Sequence, residues 1–122
     1  MTLTAAPAVP QPSIAGTWQR VCPLDALEPL WAEAALVRGE QVALVRLPSD
    51  EVLAVSHWDP QSEAFVMARG IVGSRDGTPT LASPLHKQVY DLSTGQCLSD
   101  PDLRIQTFPV RVRGRIVEVL AA

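Results

Sequence analysis

Gly70-Ile71-Val72-Gly73-Ser74-Arg75-Asp76-Gly77-Thr78-Pro79-Thr80-Leu81-Ala82-Ser83-Pro84-Leu85-His86-Lys87-Gln88-Val89-Tyr90-Asp91-Leu92-Ser93-Thr94-Gly95-Gln96-Cys97-Leu98 is the stretch that decides the fold. Its β-branched and apolar runs are short, and turn formers part them. Ile71-Val72-Gly73 is expected to pair with Thr80-Leu81-Ala82 across Arg75-Asp76-Gly77. Residues 88–92 read as the next strand, Ser93-Thr94-Gly95 as its turn, and Gln96-Cys97-Leu98 as a further strand.

The pattern continues on both sides. Towards the carboxyl end, residues 105–113 and 115–120 form a pair joined at Gly114. Towards the amino end, two apolar runs flank Gly39 in the form of a hairpin, and residues 52–56 make another strand. A strand begins at Thr17 and stops at Pro23, leaving room for at most a helical turn before Pro29. Residues 57–70 show no clean period and contain Asp59-Pro60, a turn opener, so they read as a long loop of the kind that carries function. No segment beyond residue 33 keeps a 3.6-residue period over three turns, and no repeat of 20–50 residues exists. Seven or more short strands with frequent turns predict an all-β, antiparallel sandwich or barrel. Residues 1–16, rich in Ala and Pro and without charge, read as a disordered or loosely attached tail. That leaves 17–122 as one domain.

Composition narrows the function. Of 122 residues, 47% are hydrophobic and 19% charged, which excludes wholesale disorder. Ten Lys+Arg against thirteen Asp+Glu give −3, so there is no global attraction to nucleic acid or anionic membrane. The apolar runs are too short for a spanning helix, and the amino terminus has no Lys or Arg ahead of an apolar run. The cytoplasm is the expected location.

Catalytic motifs are absent: no G-x-S-x-G, no H-E-x-x-H and no phosphate-binding Walker loop. Cys22, His57, His86 and Cys97 are singletons, 35, 29 and 11 positions apart. Metal ligands come in close pairs because one loop must aim two side chains at one ion. Two inert thiols and two surface or supporting histidines are therefore expected. Asp59 and Glu63 read as solvated loop charges. The residues alone describe an all-β, non-catalytic domain.

Gly70-Ile71-Val72-Gly73, followed by residues 81–95, resembles the second half of a Rieske iron–sulfur domain. That family runs strand, C-x-H loop, two strands, C-x-x-H loop, then an aromatic-Asp-Leu strand. Here Ser83-Pro84-Leu85-His86 stands where C-x-x-H belongs, and the first loop, residues 56–62, has no cysteine. The departure has its own pattern: Asp59-Pro60 with Ser62, Ala68-Arg69-Gly70-Ile71-Val72-Gly73, Ala82-Ser83-Pro84-Leu85-x-Lys87-Gln88, and Leu92-x-Thr94-Gly95-x-Cys97-Leu98. With Trp18-x-x-Val21-Cys22 at the start and Pro109-Val110-Arg111-Val112 at the end, it is similar to the small subunit of assimilatory NAD(P)H-dependent nitrite reductase over residues 17–120.

The resemblance implies a Rieske-like antiparallel β sandwich or barrel whose two long loops, 57–69 and 83–87, lie side by side. It implies no catalytic, cofactor-binding or metal residue on this chain. A large catalytic subunit would be the partner, carrying FAD, an iron–sulfur cluster and sirohaem and reducing nitrite to ammonium. Trp58, Asp59, Arg69, His86 and Lys87 are the candidate docking residues. Buried packing is the favoured role for Trp58, and His86 is either a loop anchor or exposed. The competing surface is the Arg111 and Arg113 strand face. Two other readings stay open: a Rieske-like module of another oxidoreductase, and a Rieske-type ferredoxin that carries electrons.

Overall fold

The computed structural model describes residues 16–85 and 87–121. The expected tail, apart from Gly16, lies outside the described residues, as do His86 and Ala122.

Three tight hairpins organise the chain. Strand β2 (Ala32–Val37) turns through Arg38 and Gly39 into β3 (Glu40–Arg46). Strand β7 (Ile71–Arg75) turns through Asp76 and Gly77 into β8 (Thr78–Ala82), and β11 (Val110–Arg113) turns through Gly114 and Arg115 into β12 (Ile116–Ala121). Each turn has positive φ at both central residues. Such turns match the right-handed strand twist, and a glycine in each pair removes half of the steric cost. The expected Gly39, Gly77 and Gly114 turns are all present.

Strand β1 (Thr17–Pro23) pairs antiparallel with β12, giving a sheet in the order β1-β12-β11. Adding β4 (Val52–Ser56) and β10 (Thr107–Phe108) to the first hairpin gives a four-stranded sheet in the order β10-β4-β3-β2. Strand β9 (Val89–Asp91) completes a third sheet, β7-β8-β9. Three features of the sequence reading change. The final strand expected from 105 is split at Pro109, which lacks a ladder donor, so β10 and β11 join different sheets. Of the expected strand 96–98, Gln96 and Cys97 make isolated bridges and no strand forms. The loop 57–70 contains a ribbon of two two-residue strands, β5 (Trp58–Asp59) and β6 (Ala64–Phe65), and a 3₁₀ turn, Met67–Arg69.

The four-stranded sheet is covered on both faces. Val42, Ala43, Leu44 and Val45 are all buried. Val42 and Leu44 face a core shared with Val117 and Val119 of β12, whereas Ala43 and Val45 face a second core containing Met67, Leu81, Tyr90 and Leu92. An unbroken apolar run is the mark of a strand buried on both sides. The layering therefore exceeds a simple two-sheet sandwich: the second core ties the loops and the third sheet to the back of the middle one. At about 1.5–3 kcal/mol for each fully buried Val or Leu side chain, these two cores are the main stabilising term.

A buried carboxylate joining two loops at the candidate functional site

The first loop leaves β4 through His57. Its N–H donates to the Gln41 carbonyl at 2.9 Å, and its own carbonyl accepts from the Val66 and Met67 N–H groups, each at 3.0 Å. The ring Nδ1 accepts from the Ala68 N–H at 3.0 Å. These bonds close the 57–68 segment on itself. Burial first, and then Arg69, hold the His57 imidazole below its ordinary pKa, so the neutral ring that the Ala68 bond requires is favoured. Within the ribbon, Trp58 meets Phe65 edge-on, with ring centroids 5.0 Å apart.

The second loop follows β8. The Ser83 N–H donates to the Gln88 carbonyl at 2.8 Å, and the Lys87 N–H donates to the Ser83 carbonyl at 3.1 Å. Asp59 binds the two loops together. Its Oδ2 accepts from the Ser83 hydroxyl at 2.5 Å and the Ser62 hydroxyl at 2.9 Å. Its Oδ1 accepts from the Gln61 N–H at 3.0 Å and the Tyr90 hydroxyl at 3.2 Å. Asp59, Ser83 and Tyr90 are all buried. Burial pushes the Asp59 carboxyl upward, but the hydrogen bonds from Ser83, Ser62, Gln61 and Tyr90 together outweigh it and hold the group below the usual carboxylate range. The Tyr90 phenol is driven well above its ordinary value, by burial first and then by the Asp59 charge.

Of the predicted docking residues, Trp58, Arg69 and Lys87 are exposed or nearly so. The preference for a buried Trp58 gives way: the residue is 38% exposed and meets Phe65 edge-on within the ribbon. Asp59 is corrected outright. It is neither a solvated loop charge nor available to a partner, since four donors enclose its carboxylate. His86 lies outside the described residues. The arginine face changes too. Register places Arg111 opposite Glu118, and its Nε donates to Glu118 Oε1 at 2.5 Å while the guanidinium lies 4.2 Å from the Trp18 ring centroid. Arg115 pairs with Asp25, which leaves Arg113 of the three without a carboxylate partner among the described residues.

A Rieske centre needs two thiolates on one iron and two imidazoles on the other. Here the loop positions that face each other are Asp59 and Ser83, already joined by a hydrogen bond. Cys97 is buried in the second core, where its thiol approaches Gln88 Oε1 at 3.4 Å, and Cys22 belongs to β1. Nδ1 of His57 is occupied by the Ala68 N–H. The described residues do not fit a two-iron cluster.

Ser62 and Tyr90, whose hydroxyls complete the site, are not among the predicted docking residues. The signal was Asp59 itself: an Asp two residues before a free backbone N–H and three before a hydroxyl folds its donors around it.

Known proteins share this architecture. Residues 17–120 match the model of the Rieske-like [2Fe-2S] domain. The nitrite reductase (NADH) small subunit of Salmonella typhimurium is 39% identical over 103 residues, which are 84% of this chain and 95% of that protein. The NMR structure of the E. coli protein NirD superposes with a TM-score of 0.80 at 34% identity, covering 88% of this chain and 98% of that one. A nitrite reductase [NAD(P)H] large subunit from Klebsiella oxytoca is 36% identical over 95 residues, 78% of this chain but 10% of that protein. The chain belongs to the Rieske-like domain family, within its group of nitrite reductase small subunits.

Proposed function

We propose that this chain is the accessory small subunit of an NAD(P)H-dependent nitrite reductase, working in the cytoplasm by binding a large catalytic subunit. The observation that carries the reading is that one and the same domain matches a separate small subunit over 95% of its length and a segment of a large subunit. No flavin, iron–sulfur or sirohaem chemistry is assigned to this chain; the large subunit is to supply all three. No helix among the described residues is long and apolar enough to cross a membrane.

The chain's own task is then to present a rigid surface. The Asp59 bonds to Ser62, Ser83 and Tyr90 order both loops before any partner arrives. Preordering lowers the entropic cost of association. Trp58, Arg69 and Lys87 are the docking side chains proposed on that surface, with Asp59 as their internal brace. The test is nitrite-dependent NADH oxidation by a large subunit expressed with and without this chain. Activity is expected to need the chain, and the two should co-purify. Full activity without it, together with no complex, would overturn the reading.

A further inference from the structure

A concave groove of about 270 Å³ runs beside the first loop, walled by Trp31 on one side and Ile71 on the other, with Ala68 and Gly70 between them. Both walls are open: Trp31 is 64% exposed, Ile71 73% and the neighbouring Leu30 51%. Large apolar side chains converging on one concavity mark an interaction site far more often than scattered surface hydrophobics do.

The backbone holds the groove open. Leu30 has φ +64, a left-handed conformation that a branched side chain rarely adopts. It is kept there by its N–H donating to the Arg46 carbonyl at 2.8 Å and by the Trp31 N–H donating to the Glu28 carbonyl at 3.2 Å. The strained residue thus sits immediately before the exposed indole. Strain of this kind persists where surrounding structure enforces it, and it collects at binding sites. The opposite wall is the start of β7, which among the described residues has β8 as its one strand neighbour.

Charge indicates what enters. Arg69 is the one charged residue among those lining the groove; it is exposed and has no carboxylate partner among the described residues. Arg69 also belongs to the first loop, so groove and loop surface are continuous. We propose that this groove is the apolar anchor site for the nitrite reductase large subunit. It would take an apolar side chain from a large-subunit segment that also carries a carboxylate directed at Arg69. The proposal rests on the small-subunit reading and adds to it a place and a chemistry.

The experiment is calorimetric titration of the full chain into the large subunit. Trp31→Ala and Ile71→Ser should each weaken binding about thirty-fold, as for a central anchor, while Leu36→Ala, a comparably exposed site on β2 outside the groove, should leave it unchanged. Arg69→Glu should weaken binding most at low salt, the signature of an exposed charge pair. Thermal melts of each variant report folding, and these solvent-facing substitutions should leave them unaltered. Binding by the unaltered chain with no loss in the Trp31 and Ile71 variants would overturn the groove alone. No binding by the unaltered chain would overturn the small-subunit reading with it. Self-association that Trp31→Ala abolishes would assign the groove to a second copy and overturn the proposal, and an Arg69→Glu variant that binds normally would remove the carboxylate from it.

Discussion

The middle of strand β3 and the Asp59 carboxylate between the two loops are both buried, by opposite physics. β3 places Val42 to Val45 between two apolar cores, where the stabilising term is non-directional and scales with buried area. The loop pair buries a carboxylate, and what holds it is four directed hydrogen bonds from two loops and β9. The first arrangement tolerates shape-conserving exchange of its residues. The second loses its brace when its carboxylate is removed, because the buried Ser83 and Tyr90 hydroxyls are left without their acceptor. The two loops, 57–69 and 83–87, carry no cysteine, and here a polar network joins them.

The sharpest way to break this comparison is Asp59→Ala. It leaves the buried Ser83 and Tyr90 hydroxyls without their acceptor, at roughly 1–3 kcal/mol each, and should cost about 4 kcal/mol in all, read from urea denaturation. A cost under about 1 kcal/mol would mean the network is decorative. The same residue gives an acid signature. Its folded pKa is depressed, so its contribution is complete above the unfolded value near pH ~3.9 and is lost as pH falls through the lower native value. Asp59→Asn should therefore flatten the loss of stability below about pH 4. A slope identical to that of the unaltered chain would place the acid sensitivity elsewhere.

Leu44→Ala comes next, at about 3 kcal/mol, through lost transfer energy and the cavity left in the first core. Unlike Asp59→Ala, it should leave amide exchange at the loop residues 57–68 in its original order relative to β8. Preferential opening of the loops would show that the two regions are not separable.

Legibility in the sequence divides along the same line. The hairpins were readable because Gly39, Gly77 and Gly114 sit between apolar runs, and local chemistry alone dictates their turns. Double burial of β3 was present in the run Val42-Ala43-Leu44-Val45, yet such a run says nothing about which elements cover it. The β5–β6 ribbon could not be seen, since strands of two residues have no period. Asp59 was misread because Asp-Pro signals a turn, while its decisive donors, Ser83 and Tyr90, lie 24 and 31 positions away. Arg111 was misread for a related reason: Glu118 becomes its neighbour only once the β11–β12 register is known.

Tyr90→Phe sharpens the comparison at smaller scale. The ring stays packed in the second core and one hydroxyl leaves Asp59, so the expected cost is about 1 kcal/mol. A Tyr90→Phe, Ser83→Ala double-mutant cycle should show coupling, because both hydroxyls serve one carboxylate. Strict additivity would mean that each bond acts alone.

The smallest effect concerns His57, and it tests whether the loops titrate where the sheets do not. Its folded pKa lies below the ordinary value, through burial and then Arg69, so the unfolded chain binds the proton more readily. Stability from this group is therefore complete above about pH 6.5 and declines as pH falls through the native value. The local cause is specific: a proton on Nδ1 would occupy the lone pair that the Ala68 N–H uses at 3.0 Å. Lowering the pH from 7.5 to 5 should loosen the 57–68 segment, so that protection of the Ala68 amide, corrected for intrinsic exchange, falls while that of Leu44 and Val119 holds. His57→Leu removes the acceptor and the titration together, and should give weak Ala68 protection that no longer depends on pH in this range. Protection that rises on acidification would reverse the sign and refute burial as the governing influence. Loss shared equally by Leu44 would show that acid acts on the whole fold rather than on the loops.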